Sequence, residues 1–200
     1  MASVTTTQCN LPGTKEEDCF AWPYNTTEVP FSAQSYLQSL LRTHRFDLPQ
    51  LLRPPPQLDP TQWLSEHLRQ LCIELGFYLT HLHADCTEKT CPIMCAQEMT
   101  YYCAGHGSPR PCSAMGYSVH TLDYAVRQLA VGAGMKHFQS MVRRLYRIFA
   151  HVYFHHREVF ESQESARGVY AWFVAVVRKY ELSPESLIII PEMPSTVKDT

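Results

Sequence analysis

Two thiols and a run of imidazoles carry the most distinctive chemistry in this chain. Cys86-Thr-Glu-Lys-Thr-Cys91 places two cysteines in a loop with four residues between them, and Pro92 follows, disfavouring helix in the residue before it. His151-Val-Tyr-Phe-His155-His156 sets three imidazoles near the end of a helical stretch. Two sulfurs and two nitrogens complete tetrahedral zinc and leave no position for water or substrate, the coordination of a structural ion rather than a catalytic one. Spacing alone leaves the histidine pair open. His151 and His155 share a helix face, whereas His151 and His156 differ by about 140° and require the helix to end there. Cys95, Cys103 and Cys112 are competing thiols. A buried thiol or a hydrogen-bonded core histidine is the ordinary fate of each residue taken singly; the four together point to metal. A zinc finger is a poor reading, because about a dozen residues should separate its Cys and His pairs, and here 59 lie between Cys91 and His151.

A second chemical signal is basic. From Tyr124 to Arg157 there is no Asp or Glu, yet Arg127, Lys136, Arg143, Arg144, Arg147 and Arg157 fall there. Arg143 and Arg147 are four apart and Arg144 and Arg147 three apart, so on a helix their guanidinium groups converge on one spot. Such a cluster can grip a phosphate bidentately, as phosphopeptide-binding modules do. The alternative is a solvated basic face or ion pairs with glutamates elsewhere. Arg147 stands one turn before His151, so both groups would share one rod.

The elements that must position these groups are helical. The 200 residues carry 17 Lys+Arg and 19 Asp+Glu for a formal charge of −2, with 45% hydrophobic residues. That is the profile of one globular domain, and it argues against a whole-molecule electrostatic grip on nucleic acid or an anionic membrane. The sequence has neither a signal-peptide core nor an apolar run of membrane-spanning length. A soluble, cytoplasmic chain is expected, peripheral to membranes only through partners. Its eight Cys then read as thiols or metal ligands rather than disulfides.

Residues 1–31 read as an extended arm, packed in places by Phe20 and Trp22, ahead of a domain over 32–192 and a polar tail over 193–200. Ser32 caps a helix over Ala33 to Arg42. Pro54-Pro55-Pro56 enforces an extended crossing. Asp59, Pro60 and Gln62 open a helix along which Leu64, Leu68, Leu71, Leu75, Leu79 and Leu82 recur at steps of four and three, the seam of a bundle helix. Gln97 to Ala104 reads as a strand that turns back through Gly105 to Arg110. Helices are expected over Ser118 to Val131, Lys136 to Arg157 and Glu161 to Tyr180, with a short one opening at Ser183.

Taken together, Cys86-Thr-Glu-Lys-Thr-Cys91-Pro-Ile-Met and Arg143-Arg144-Leu-Tyr-Arg147-Ile-Phe-Ala-His151-Val-Tyr-Phe-His155-His156 resemble the Mob (Mps one binder) family of kinase regulators. Pro12-Gly13-Thr14-Lys15 with Trp22-Pro23, Glu66-His67-Leu68-Arg69-Gln70, Cys103-Ala-Gly-His106 with Cys112, His120-Thr-Leu-Asp123 and Tyr153-Phe-His-His-Arg157 resemble its phocein branch. The resemblance implies an all-α fold around a four-helix bundle with a small β-hairpin and a structural zinc, no catalytic activity, and work as an adaptor for protein kinases. It implies Cys86, Cys91, His151 and His156 as the zinc ligands, and it aligns Arg143, Arg144 and Arg147 with a phosphopeptide pocket. For the phocein branch it implies membership of striatin-containing assemblies that join the phosphatase PP2A to Ste20-type kinases. Binding of NDR-type kinases, which uses an acidic surface on the early helices, is the alternative, and Thr-Gln-Trp63-Leu-Ser-Glu-His is only mildly acidic. A zinc hydrolase is the competing enzymatic reading. The chain departs from the phocein pattern between Asp123 and Arg143, where phocein-like chains carry a longer connection.

Overall fold

The computed structural model describes residues 15, 32–56, 58–132 and 134–191. The expected arm and tail, with Phe20 and Trp22, lie outside the described residues, apart from Lys15.

Helix α1 (Ala33–His44) starts where Ser32 accepts a hydrogen bond from the Ser35 amide, and it buries Leu37, Leu40 and Leu41. A short α2 (Leu48–Leu52) follows. Asp59 then caps α3 (Pro60–Leu82) by accepting from the amides of Thr61 and Gln62. The leucine seam of α3 is wholly internal. Leu64, Leu68, Leu71 and Leu75 are 0% exposed, and burying each such side chain is worth about 1.5–3 kcal/mol. A two-stranded antiparallel hairpin, β1 (Cys95–Ala96) with β2 (Met99–Thr100), leads into α4 (Ala114–Ala130), which Ser113 caps. Next in the chain come α5 (Met135–His155), α6 (Arg157–Arg167) and α7 (Val169–Lys179), then a 3-10 turn over Glu185–Leu187.

Helix α3 packs on α4, α1 and α7, α4 packs on α5, and α5 carries β1 and α6. The core joins them through aromatic rings: Phe149 of α5 meets Tyr78 of α3 edge-on at 5.9 Å and Phe173 of α7 at 5.0 Å. This is an all-α fold with one small hairpin. Among the described residues, no helix is long and apolar enough to cross a membrane.

Two expectations about elements are corrected. The strand expected over Gln97 to Ala104 is interrupted: Gln97 turns with φ 51°, the ladder ends at Thr100, and a separate bridge pairs Cys103 with Arg110. The single helix expected over Glu161 to Tyr180 is two. Gly168 adopts φ 57°, ψ 32° and ends α6, and the Phe46 ring comes to 3.0 Å of where a Cβ would stand. An apolar period cannot reveal such a corner, because burial resumes in step on the far side.

Beneath the corner lies a buried polar group. Glu74, with its side chain 0% exposed, holds Arg167 at 2.6 Å and Arg45 at 3.3 Å. Gln70 reaches its second oxygen at 3.5 Å and is itself bonded by Gln38 at 3.1 Å. These contacts tie α1, α3 and α6 together at one point.

Candidate metal centre and basic cleft

The two thiols approach from the loop after α3. The Cys86 amide donates to the Leu82 carbonyl at 2.9 Å and the Cys91 amide to the Thr87 carbonyl at 2.8 Å, so each thiol is carried by a closed turn. Thr90 locks the loop by donating its hydroxyl to the Asp85 carbonyl at 2.6 Å. From the other side come the imidazoles at the end of α5. His156 stands at φ −139°, ψ 52°, outside helical geometry, which removes the 140° separation that a continuous helix would impose.

Cys86, Cys91, His151 and His156 thus each present one ligand atom within 4.8 Å of the others. Cys86 Sγ lies 3.5 Å from His151 Nε2, and Cys91 Sγ lies 3.3 Å from His156 Nε2. Metal–sulfur and metal–nitrogen bonds of about 2.3 and 2.0 Å at a tetrahedral angle give about 3.5 Å between such atoms. The group could therefore hold a metal ion. His151 donates Nδ1–H to the Cys95 carbonyl at 2.8 Å, leaving Nε2 bare toward the thiols, the orientation a ligating histidine needs. Burial pushes His151 down to about 4, so the ring is neutral at physiological pH. Burial, then the neighbouring Cys91 thiol, pushes Cys86 upward; a thiolate there needs a cation beside it. His155 points elsewhere, its Nε2 3.5 Å from Cys95 Sγ.

Arg143, Arg144 and Arg147 line one cleft of about 310 Å³ between α4, α5 and the loop around Cys103. Arg143 is exposed. The Arg144 guanidinium lies 4.5 Å over the Tyr124 ring, and Arg147 lies 4.7 Å over Tyr101 while donating to the Tyr117 hydroxyl at 2.9 Å. Among the described residues, none lining the cleft is a carboxylate. The positions of Arg144 and Arg147 are therefore set by ring faces, which leave their charge unneutralised. The tyrosines were not legible in advance, because they come from the flank of β2 and from α4, both distant in sequence from the arginines. Nor do Cys103 and Cys112 compete for the first group: they are gathered with His106 and His120.

The sequence model of the Mob1/phocein family matches residues 38–190. The chain is 34% identical to a Caenorhabditis elegans protein named MOB-like protein phocein, over 95% of this chain and 92% of that protein. It is 34% identical to Drosophila melanogaster MOB kinase activator-like 4, over 91% of this chain and 88% of that protein. A second Drosophila melanogaster protein, MOB kinase activator-like 3, is 24% identical over 88% of this chain and 89% of that protein. The matched span takes in the thiol loop, the arginine helix and the paired imidazoles, and on these grounds the chain belongs to the Mob1/phocein family.

Proposed function

We propose that this protein is a non-enzymatic adaptor of protein kinase signalling that docks a phosphorylated segment of a kinase or co-adaptor on Arg143, Arg144 and Arg147. The observation that carries the reading is the cleft itself: three convergent guanidinium groups and no lining carboxylate. A dianionic phosphate is the ligand that satisfies such an arrangement, through charge-assisted and bidentate hydrogen bonds. A relative named as a kinase activator supports the choice of partner class.

Zinc fits the group of Cys86, Cys91, His151 and His156, since two thiols and two neutral imidazoles at the spacings above are its preferred donors. Bound there, it supplies a cross-link between the 86–91 loop and the end of α5, and with four protein ligands it leaves no site for turnover. The role is structural, which favours an adaptor over a zinc hydrolase.

Within kinase assemblies, the relative named phocein at 34% identity supports a phocein-like place: a subunit that joins a striatin-like scaffold and PP2A to a Ste20-type kinase, in the cytoplasm. Docking of an NDR-type kinase is less well served. Trp63 is fully buried, and the nearby Glu66 is already paired with Arg69 at 3.3 Å.

The test has two arms. Titration calorimetry with matched phosphorylated and unphosphorylated kinase peptides should show binding only of the phosphorylated form, and equal affinities would remove the pocket. Affinity purification with mass spectrometry should recover striatin-type rather than NDR-type complexes.

A further inference from the structure

We infer that Cys95 and His155 form the outer, solvent-facing half of the metal centre, where together with His151 they take up zinc before passing it inward to Cys86, Cys91 and His156. The inference rests on the reading that zinc occupies the inner group, and extends it to how the ion arrives. Cys95, His151 and His155 each offer one ligand atom, and these atoms lie within 4.8 Å of one another. Cys95 Sγ stands 3.5 Å from His155 Nε2, matching the separation of about 3.5 Å expected between sulfur and nitrogen on one tetrahedral ion. His151 belongs to both groups, and its Nδ1 is committed to the Cys95 carbonyl. Nε2 must therefore serve both, and the two groups hold one ion in turn rather than two at once.

Burial makes the inner group hard to reach from solvent. Cys86 is 1% and His151 2% exposed, and the inner donor set, once complete, leaves no open position for an incoming ligand. The outer group has the opposite character. His155 is exposed and Cys95 half-buried, and three protein donors leave the fourth tetrahedral position to water. A site with one protein ligand fewer and a replaceable water accepts and releases its ion more readily than a closed one.

The backbone sets the two groups side by side. Cys95 opens β1, four residues after Cys91, and its carbonyl accepts the His151 Nδ1 proton at 2.8 Å. His155 is the last residue of α5, one turn beyond His151, and the two ring centroids are 4.9 Å apart. The chain leaves helical geometry at His156, whose ring centroid lies 5.3 Å from that of His151. Consecutive imidazoles thus serve different groups, with His151 common to both. Passage inward exchanges ligands, and nothing is oxidised or reduced. Cys95 gives its proton to solvent as its sulfur bonds the ion. The Cys86 and Cys91 thiols then lose theirs to solvent as they bond it in turn, while Cys95 releases it and regains a proton and His156 replaces His155.

The test uses zinc alone as the probe. Full-length protein, purified under reducing conditions without chelator, is mixed with an excess of isotopically enriched zinc chloride, and exchange of its bound metal is followed by native mass spectrometry. Cys86→Ser with Cys91→Ser identifies the inner ion, because it should carry one zinc fewer than wild type. Cys95→Ala with His155→Ala should carry as much zinc as wild type and keep its circular dichroism spectrum. It should nevertheless exchange the inner ion about tenfold more slowly, since the outer group with its replaceable fourth position is gone. Cys95→Asp, whose carboxylate can also ligate zinc, should restore exchange to within about threefold of wild type. An unchanged exchange rate in Cys95→Ala, His155→Ala would overturn the inference. So would loss of an ion from that variant, which would make these residues permanent ligands. Equal zinc content in wild type and in Cys86→Ser, Cys91→Ser would instead remove the reading of the inner group, and the inference with it.

Discussion

His151 donates its Nδ1 proton to the backbone carbonyl of Cys95 at 2.8 Å. The bond joins the end of α5 to the first strand of the hairpin and turns the other ring nitrogen toward Cys86, 3.5 Å away. A single imidazole thus both bonds the hairpin to the helix and aims its free nitrogen at the Cys86 thiol.

With zinc held by Cys86, Cys91, His151 and His156 as proposed, its removal should loosen the domain without unfolding it outright. Structural zinc in small peptides is worth about 10–16 kcal/mol of apparent binding energy, much of it folding energy, but this domain also buries a large apolar core. Chelation, or Cys91→Ser, should lower the melting temperature by roughly 10 °C or more, because each 1 kcal/mol is worth about 2–4 °C at this size. Calorimetry of metal-free protein checks this, and an unchanged transition after verified metal removal would contradict it.

Arg143 is the clean probe of the cleft. Arg147 is bonded to Tyr117 and stacked on Tyr101, so Arg147→Glu should weaken phosphopeptide binding and also disturb packing. Arg143→Ala removes an exposed side chain and should leave stability within about 0.5 kcal/mol. It should weaken phosphopeptide binding by roughly tenfold or more, the value of a hydrogen bond to a charged group. Calorimetric titration alongside urea unfolding separates the two effects.

Glu74→Ala should be among the most damaging substitutions outside the metal ligands. It removes the buried carboxylate that Arg45, Arg167 and Gln70 share, and breaking a buried pair by removing one partner costs about 3–5 kcal/mol. Urea midpoints measure it; a loss below 1 kcal/mol would mean that water replaces the carboxylate freely.

Gly168→Ala should destabilise by about 1–2 kcal/mol from the left-handed backbone alone, with more from contact with Phe46 at 3.0 Å. The same change on an exposed right-handed helix would stabilise, so the sign of the measured shift in melting temperature tests the corner between α6 and α7.

His67 should make the domain acid-sensitive. Burial, with Lys179 adding to it, pushes this imidazole down to about 3, and its Nδ1 accepts from Trp172 Nε1 at 3.1 Å. Between about pH 6.5 and 3 the unfolded chain binds a proton that the folded chain refuses. Stability attributable to His67 is therefore full above pH 6.5 and falls as pH drops, by about 1.4 kcal/mol per unit. His67→Phe should be less stable at pH 7, because Trp172 loses its acceptor, yet flatter in stability between pH 6 and 4. Acid release of any metal held by the Cys/His group is common to both proteins and cancels in the comparison.

The chain's local chemistry made much of the architecture readable. Ser32 and Asp59 mark helix starts because their oxygens satisfy amides that no helix of its own can, and the leucine steps of α3 follow from 3.6 residues per turn. The guanidinium spacing on α5 and the two pairs of zinc-type donors are equally local. What needed three dimensions was every property created by chain reversal. His156 rather than His155 joins Cys86 and Cys91 because backbone torsion, not spacing, ends α5. The rings that steer Arg144 and Arg147 come from β2's flank and from α4. Cys103 and Cys112 find His106 and His120 only because a bridge and a glycine fold one loop onto a helix. Periodicity reports which face of an element is buried; it carries no record of which distant element arrives to cover it.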